Sequence, residues 1–312
     1  MRVVRKTQII LNGGLGNQLF GLAAALSVSD NVTIIGKVSN LKMVSDKRPE
    51  IMRLTSNLAI KYIEPADIIS PLLSKLHNYF LVGKLNVRSH WALKLFPIAY
   101  WAIRLFVRYV YPGNTDFVVA NDLGYVKFPT KRNLILVGYF QSYRWTESKR
   151  VLDILQSQFV EQEKRIAKHV ERAQTDKPII LHIRLGDYRK EDSFGILTEN
   201  YYSFALDEIM RIYPDSPIWV FSDEPGAAKN KIHKRFHKKC IWASEIFQLN
   251  ALETLTLMRF GYGYVIANSS FSWWAATLAI NPHAKVYCPS PWFNDASNPL
   301  DLIPSNWESI GR

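Results

Sequence analysis

Cysteine is nearly absent: Cys240 and Cys288 are the two thiols in 312 residues. They are too few for a disulfide framework and lack the paired spacing of a zinc site, so the expected compartment is a reducing one, the cytoplasm. Acidic residues are also short, 27 Asp and Glu against 39 Lys and Arg, which leaves a formal charge of +12. That excess points to an anionic partner: nucleic acid, a phospholipid surface or a phosphorylated small molecule. Long apolar runs are missing as well. The segment MRVVRKTQIILNGGLG has neither an extended hydrophobic region nor a small-residue cleavage site, and no secretion signal is read there. The most hydrophobic stretch, residues 90–112, is broken by Lys94, Arg104 and Arg108. Its longest uncharged run falls well short of the roughly 20 residues of a spanning helix. Low-complexity tracts, internal repeats, a GK[ST] phosphate loop and RNA-recognition or helix-turn-helix signatures are all absent, and the basic residues are scattered, which argues against a nucleic-acid partner.

What is present is a succession of strands and helices long enough for two domains. Residues 7–11, 17–29 and 32–35 read as strand, helix and strand, with a glycine turn after the first strand, the pattern of a β-α-β unit. Residues 60–112 are aromatic-rich and irregular, and mostly helix is expected there. A further strand is expected within 132–142. SKRVLDILQSQFVEQEKRIAKHVERA reads as a helix that ends near TDKP. The domain boundary is therefore set near residue 175: a domain over 1–174 and a second over 175–312. In the second, PIILHIR, PIWVFS, YVIAN and KVYCP alternate with helical segments. That alternation implies an α/β fold with parallel sheets covered on both faces.

Ligands of such sheets sit beyond the carboxyl ends of the strands. Three polar clusters fall there: HIRLGD, FSDEP and NSSFS. His182 and Arg184 are two residues apart on an extended strand and so point the same way. The planar, permanently charged guanidinium of Arg184 suits phosphate oxygens, and a diphosphate is the natural ligand. The plain alternative for His182 is a satisfied interior histidine. Asp187 could orient Arg184, cap the next turn or act as a base. Asn268, Ser269, Ser270, Phe271 and Ser272 offer hydroxyls and backbone N–H groups where a strand meets a helix, and the positive end of a helix dipole attracts anions. One serine is also expected to cap that helix. Trp273 and Trp274 are read as core. Asp223 and Glu224 could accept hydrogen bonds from a guanine or a ribose, although Asp-Glu-Pro is also an ordinary turn. The N-terminal GGLGNQ lacks the third glycine of a dinucleotide fingerprint and has no acidic residue after the second strand. It offers a tight turn that presents Asn17 and Gln18, whose amides suit hydroxyl-rich ligands such as sugars.

Taken in order, GGLGNQLF, HIRLGDY, FSDEP and NSSFSWWAA resemble the motifs of the α1,2-fucosyltransferases of glycosyltransferase family 11, over about residues 8–280. The resemblance implies a two-lobed GT-B-type enzyme with Rossmann-like domains facing a cleft. The C-terminal domain would hold GDP-fucose and the N-terminal domain would serve the acceptor, with no required metal or other cofactor. By carry-over, Arg184 binds the diphosphate with His182 in support, and Ser269, Ser270 and Phe271 contact phosphate. Asn17 lies near the reacting fucose. Arg184, Asp187 and Asn17 are the expected catalytic residues, with Asn17 and Gln18 on the acceptor side. The implied reaction inverts the anomeric centre of GDP-β-L-fucose and forms an α-linkage to a galactoside O2 of a glycan or lipid-linked oligosaccharide, in surface polysaccharide (O-antigen) synthesis. Asp187 is the nearest carboxylate to act as base, but tied to Arg184 it would be a poor proton acceptor.

Three departures from the family pattern stand out: Leu185 where a second arginine is common, Gly21 where glutamine or a similar residue is, and Thr254 with Arg259 around the LM pair before the last motif. They bear on acceptor and linkage and leave Arg184 intact. If residues 98–110 form a helix, Arg104 and Arg108 stack beside a stripe of Trp101, Leu105 and Tyr109, a face suited to peripheral contact with an anionic membrane. A core helix with two solvated arginines is the alternative. The rival functions are a transferase for another nucleotide sugar or linkage and a non-catalytic nucleotide- or RNA-binding protein.

Overall fold

The chain's short apolar runs become the strands of two separate parallel sheets. The computed structural model describes residues 6–11, 13–35, 50–55, 58, 60–63, 101, 105, 109, 114–120, 123–129, 132–190, 194–294, 298–299 and 301–312. It divides into units Met1–Val151 and Leu152–Arg312.

In the first unit, β1 (Lys6–Ile10), α1 (Leu15–Val28) and β2 (Asn31–Ile35) form the expected β-α-β unit. The short helix α2 (Ile51–Leu54) and strands β3 (Lys61–Ile63), β4 (Thr115–Val119) and β5 (Asn133–Val137) come next. The sheet order is β3-β2-β1-β5-β4, and every pair is parallel. Helix α1 carries no charged residue and is buried along most of its length, because a central helix over a parallel sheet has little wet surface. Gly21 lies against Ile9: a Cβ there would sit 3.3 Å from Ile9 Cγ1, so a larger residue at this departure would push helix from sheet. Of the expected helix 98–110, Trp101, Leu105 and Tyr109 are helical and exposed; Arg104 and Arg108 lie outside the described residues.

The second unit begins inside α3 (Lys149–Ser157) and continues with α4 (Val160–Arg165) and α5 (Ala167–Asp176). The chain divides at Val151 and Leu152, not near residue 175, because side chains of these helices pack into the second unit. Arg259, 1% exposed, reaches Glu163 at 2.8 Å and lies 4.2 Å from the Phe159 ring. His169 packs on Phe247, and Arg172 lies over Trp219. The segment is three helices where one was expected, with breaks beside buried Phe159 and Ile166; its end at Asp176 is as read. Then come β6 (Ile179–Ile183), α6 (Glu199–Ile212), β7 (Ile218–Ser222), α7 (Pro225–Ala228), β8 (Cys240–Ile241), α8 (Ala243–Phe247), α9 (Ala251–Met258), β9 (Gly263–Val265), α10 (Ser270–Thr277), β10 (Lys285–Ser290) and β11 (Glu308–Gly311). The sheet runs β11-β10-β9-β6-β7-β8, all parallel.

Every residue of β6 is buried, with Leu181, Ile183 and Leu185 in one apolar cluster with Tyr201, Leu206 and Val265. Leu185, the position where a second arginine is common, is therefore core. Trp273 and Trp274 are fully buried as expected. Burial also pushes the thiols up, Cys240 to about 12 and Cys288 to about 11, so neither is a thiolate at neutral pH. Among the described residues, no helix is long and apolar enough to cross a membrane.

Candidate functional site

A doubly wound sheet binds ligands where neighbouring strands send their connections to opposite sides. In the second unit that switch point lies between β6 and β9, with β7 on the other flank of β6. The parallel register brings the ends of these strands to one edge, with Ile183 opposite Ser222. Arg184 comes directly after β6. Its Nε donates to Asp187 Oδ1 at 3.0 Å, its Nη2 lies 2.9 Å from the same oxygen, and its Nη1 lies 3.3 Å from Asp223 Oδ2. Five guanidinium N–H groups exceed what these two carboxylates take up, so donors remain for a further anion. The side chain is one-third exposed, which keeps it reachable.

Asp223 also accepts the Leu185 backbone N–H at 3.0 Å. A Cβ on Gly186 would lie 2.6 Å from its Oδ2, so only glycine lets the β6 loop close on this carboxylate. Glu224 pairs with Arg189 at 2.7 Å. Both acids of FSDEP are thus engaged by arginines of the β6 loop, Asp223 by Arg184 and Glu224 by Arg189.

His182 is 3% exposed, its ring 5.9 Å from Phe271, and its Nδ1 is buried without a hydrogen-bond partner. Burial, helped by the Arg184 charge, lowers its pKa to about 3, so it is a neutral imidazole and adds no positive charge. Helix α10 starts beyond β9. The Ser269 side chain accepts the Phe271 N–H at 3.3 Å, the expected cap. Ser270 is half-buried, and its hydroxyl has no hydrogen bond among the described residues. Two expected ligand contacts turn inward instead. Ser272 is fully buried, its hydroxyl donating to Ala267 and Ser269 carbonyls. Asn268 is 2% exposed and donates to the Phe194 and Trp292 carbonyls at 2.8 and 3.1 Å, which fixes the loop.

Sequence reading left Tyr188 unassigned. Its hydroxyl donates to the Asn268 carbonyl at 2.9 Å, its ring stacks on Phe194 at 4.8 Å, and Arg184 lies 5.7 Å above it. Burial raises its pKa, so the phenol stays protonated and donates. It ties the Arg184 loop to the start of α10. The only available signal was its position inside HIRLGDY.

In the first unit β1 and β5 are neighbours, so the segments that follow them meet at the carboxyl edge of the sheet. Gln18 donates to the Gly13 carbonyl at 3.0 Å and accepts the Ile51 N–H at 3.3 Å, so part of its amide is used within the protein. Asn17, half-buried, accepts from Gln141 Nε2 at 3.0 Å. Gly13 has φ +65°, and a Cβ there would lie 2.6 Å from Asn17 Nδ2. Among the described residues no group of three or more His, Cys, Asp or Glu side chains could hold a metal ion.

The four ordered motifs have a family-level counterpart: the model for "Glycosyl transferase family 11" matches residues 105–306, more than half of the chain. The chain belongs to glycosyl transferase family 11. As a family-11 chain it is 29% identical over 140 residues to an Escherichia coli protein named Alpha-1,2-colitosyltransferase, covering 43% of this chain and 48% of that protein. It is 29% identical over 196 residues to the E. coli O-antigen biosynthesis glycosyltransferase WbnK, covering 59% and 63%. The chain thus spans from about half to under two thirds of these curated relatives. A solved glycosyl transferase family 9 structure from Veillonella parvula has a TM-score of 0.43 at 11% identity, covering 100% of this chain and 87% of that one.

Proposed function

We propose that the chain transfers fucose from GDP-β-L-fucose to a galactoside hydroxyl, O2 of galactose being the leading candidate, during O-antigen synthesis. The observation that carries this reading is Arg184, held by two carboxylates at the β6–β9 switch point, with its loop tied through Tyr188 to the start of α10. In the reaction the bond from C1 to the diphosphate oxygen breaks as the acceptor hydroxyl oxygen attacks from the opposite face and gives up its proton to solvent. The β-linked donor becomes an α-linked product and GDP leaves with the bonding electrons. Charge grows on the diphosphate, where preorganised hydrogen-bond donors are worth about 3 to 4 kcal/mol each. Arg184 and the Ser270 hydroxyl are those donors, and they take the part a metal ion would otherwise play. Asp187, bound to Arg184, acts as a positioning residue. The family relation and WbnK's printed name support the polysaccharide context.

A second reading has one observation in its favour. A relative is named for colitose, which is fucose without its 3-hydroxyl, and that name keeps the α-1,2 linkage while changing the donor. The exposed Trp101, Leu105 and Tyr109 support peripheral contact of a cytoplasmic enzyme with an anionic membrane. The test is GDP release from GDP-fucose and from GDP-colitose, each with and without candidate galactosides. Galactoside-dependent release from GDP-fucose is expected, and absence of GDP binding at high micromolar concentration would sink the transferase reading.

A further inference from the structure

The Asn17–Gln141 pair stands at the carboxyl edge of the first unit's sheet, Asn17 after β1 and Gln141 after the neighbouring strand β5. Gln141 is 9% exposed; its Nε2 donates to Asn17 Oδ1 at 3.0 Å, and its own Oε1 is buried without a partner. A buried acceptor left empty is costly, and a buried amide is rarely left half-satisfied. Here the cost has a product. With Oδ1 taken by Gln141, the Asn17 amide can turn only its N–H groups outward, and Nδ2 leans over the exposed Gly13 turn with no partner among the described residues. The rest of the segment holds Gln141 in place: its backbone N–H reaches the Leu123 carbonyl at 2.5 Å, Trp145 Nε1 donates to the Phe140 carbonyl at 2.7 Å, and Phe140 lies at φ +51°.

We infer that Gln141 is a positioning residue that fixes the polarity of the Asn17 amide, so that Asn17 offers a hydrogen-bond donor to a substrate oxygen, either a hydroxyl or a phosphate. The inference deepens the transferase reading and rests on it for its turnover measurements alone.

Three variants test it. Asn17→Ala should lower kcat about tenfold or more, the value of one directed hydrogen bond to a charged or developing-charge oxygen. Gln141→Glu at neutral pH cannot donate to Oδ1, so Asn17 must turn its donor inward; the loss should match that of Asn17→Ala, with KM within about twofold. On the Asn17→Ala background, Gln141→Glu should add nothing, the non-additivity expected of residues acting through one another. As pH falls, the introduced carboxyl protonates and can donate again, so the Gln141→Glu to wild-type ratio should rise towards acid, while Gln141→Leu stays flat. Gln141→Leu also buries no charge, which keeps the series usable if the glutamate variant folds poorly. Additive losses, or a ratio flat with pH, would overturn the inference. One arm needs no turnover: in ¹⁵N-asparagine-labelled protein the Asn17 side-chain NH₂ signal should shift on Gln141→Leu. It should also shift on adding GDP if the ligand is phosphate, or a galactoside if it is a hydroxyl. A signal unmoved by either ligand overturns the donor role even where the wild-type enzyme turns over; a chain that binds no GDP but whose Asn17 signal moves with a galactoside loses the transferase reading and keeps this one.

Discussion

The two parallel sheets equip their carboxyl edges differently. The β6–β9 edge carries a guanidinium gripped by Asp187 and Asp223, while the β1–β5 edge carries an amide hydrogen-bonded to another amide. The charged edge suits an anion, because its donors keep their charge at every relevant pH. The neutral edge suits hydroxyls or one oxygen at a time, and its selectivity lies in which atom of the amide faces out. The difference teaches that the carboxyl edge of a parallel sheet supplies the place for a ligand while the side chains set its charge.

The strongest way to break this contrast is Arg184→Ala. Turnover should fall at least about a hundredfold with the fold retained, read as kcat alongside an unchanged far-ultraviolet circular dichroism spectrum. Activity within a few fold of wild type would remove the charged edge from the reaction. Next in size is Glu163→Ala. It leaves Arg259 buried and unpaired, and breaking a fully buried pair costs about 3–5 kcal/mol. Because Glu163 is 27% exposed, a loss of about 2 kcal/mol is expected in urea unfolding, with kcat at low temperature unaffected, since the pair anchors α4 and takes no part at either edge.

His182 sharpens the contrast through pH. Its folded pKa of about 3 lies below the ordinary 6.5, so below pH 6.5 the unfolded chain binds a proton that the folded chain refuses. Stability is then full above that value and declines as pH drops towards 3. His182→Gln should flatten the part of the acid decline between about pH 6.5 and 5 in denaturant titrations, a window above the ordinary carboxylate range. An unchanged slope would mean that the imidazole is reached by water.

Much of both edges was legible because a polar cluster directly after a fully apolar strand is costly unless it caps a helix or meets a ligand. The β-α-β start, β6 and its arginine, and the serine cap of α10 all come from local pattern. Partners distant in sequence do not. Tyr188 finds the Asn268 carbonyl 80 residues away, Gln141 finds Asn17 at a separation of 124, and Arg259 finds Glu163 at 96. Periodicity carries no information on such pairings, which is why Arg259 looked like a mere departure. The boundary near 175 failed for the same reason: helical period names α3 to α5 without saying which core receives Phe159 and Trp219's neighbour Arg172. Strand β3 was hidden in the aromatic stretch, whose composition suits helix or strand alike, and β4 just beyond it was not read.

The smallest effect asks whether the charged edge works as one unit or as separate loops. Tyr188→Phe keeps the ring on Phe194 and removes the hydroxyl that donates to the Asn268 carbonyl and also meets the Ser269 side chain. A neutral hydrogen bond is worth about 1 kcal/mol net, so the affinity for GDP should weaken about fivefold if the bond holds the start of α10 against the Arg184 loop. The loss should vanish on the Arg184→Ala background, because an α10 terminus held in register matters only while the arginine shares the anion with it. Were the two losses to add, Tyr188 would be stabilising the loop alone, and the anion would be held by two independent contacts.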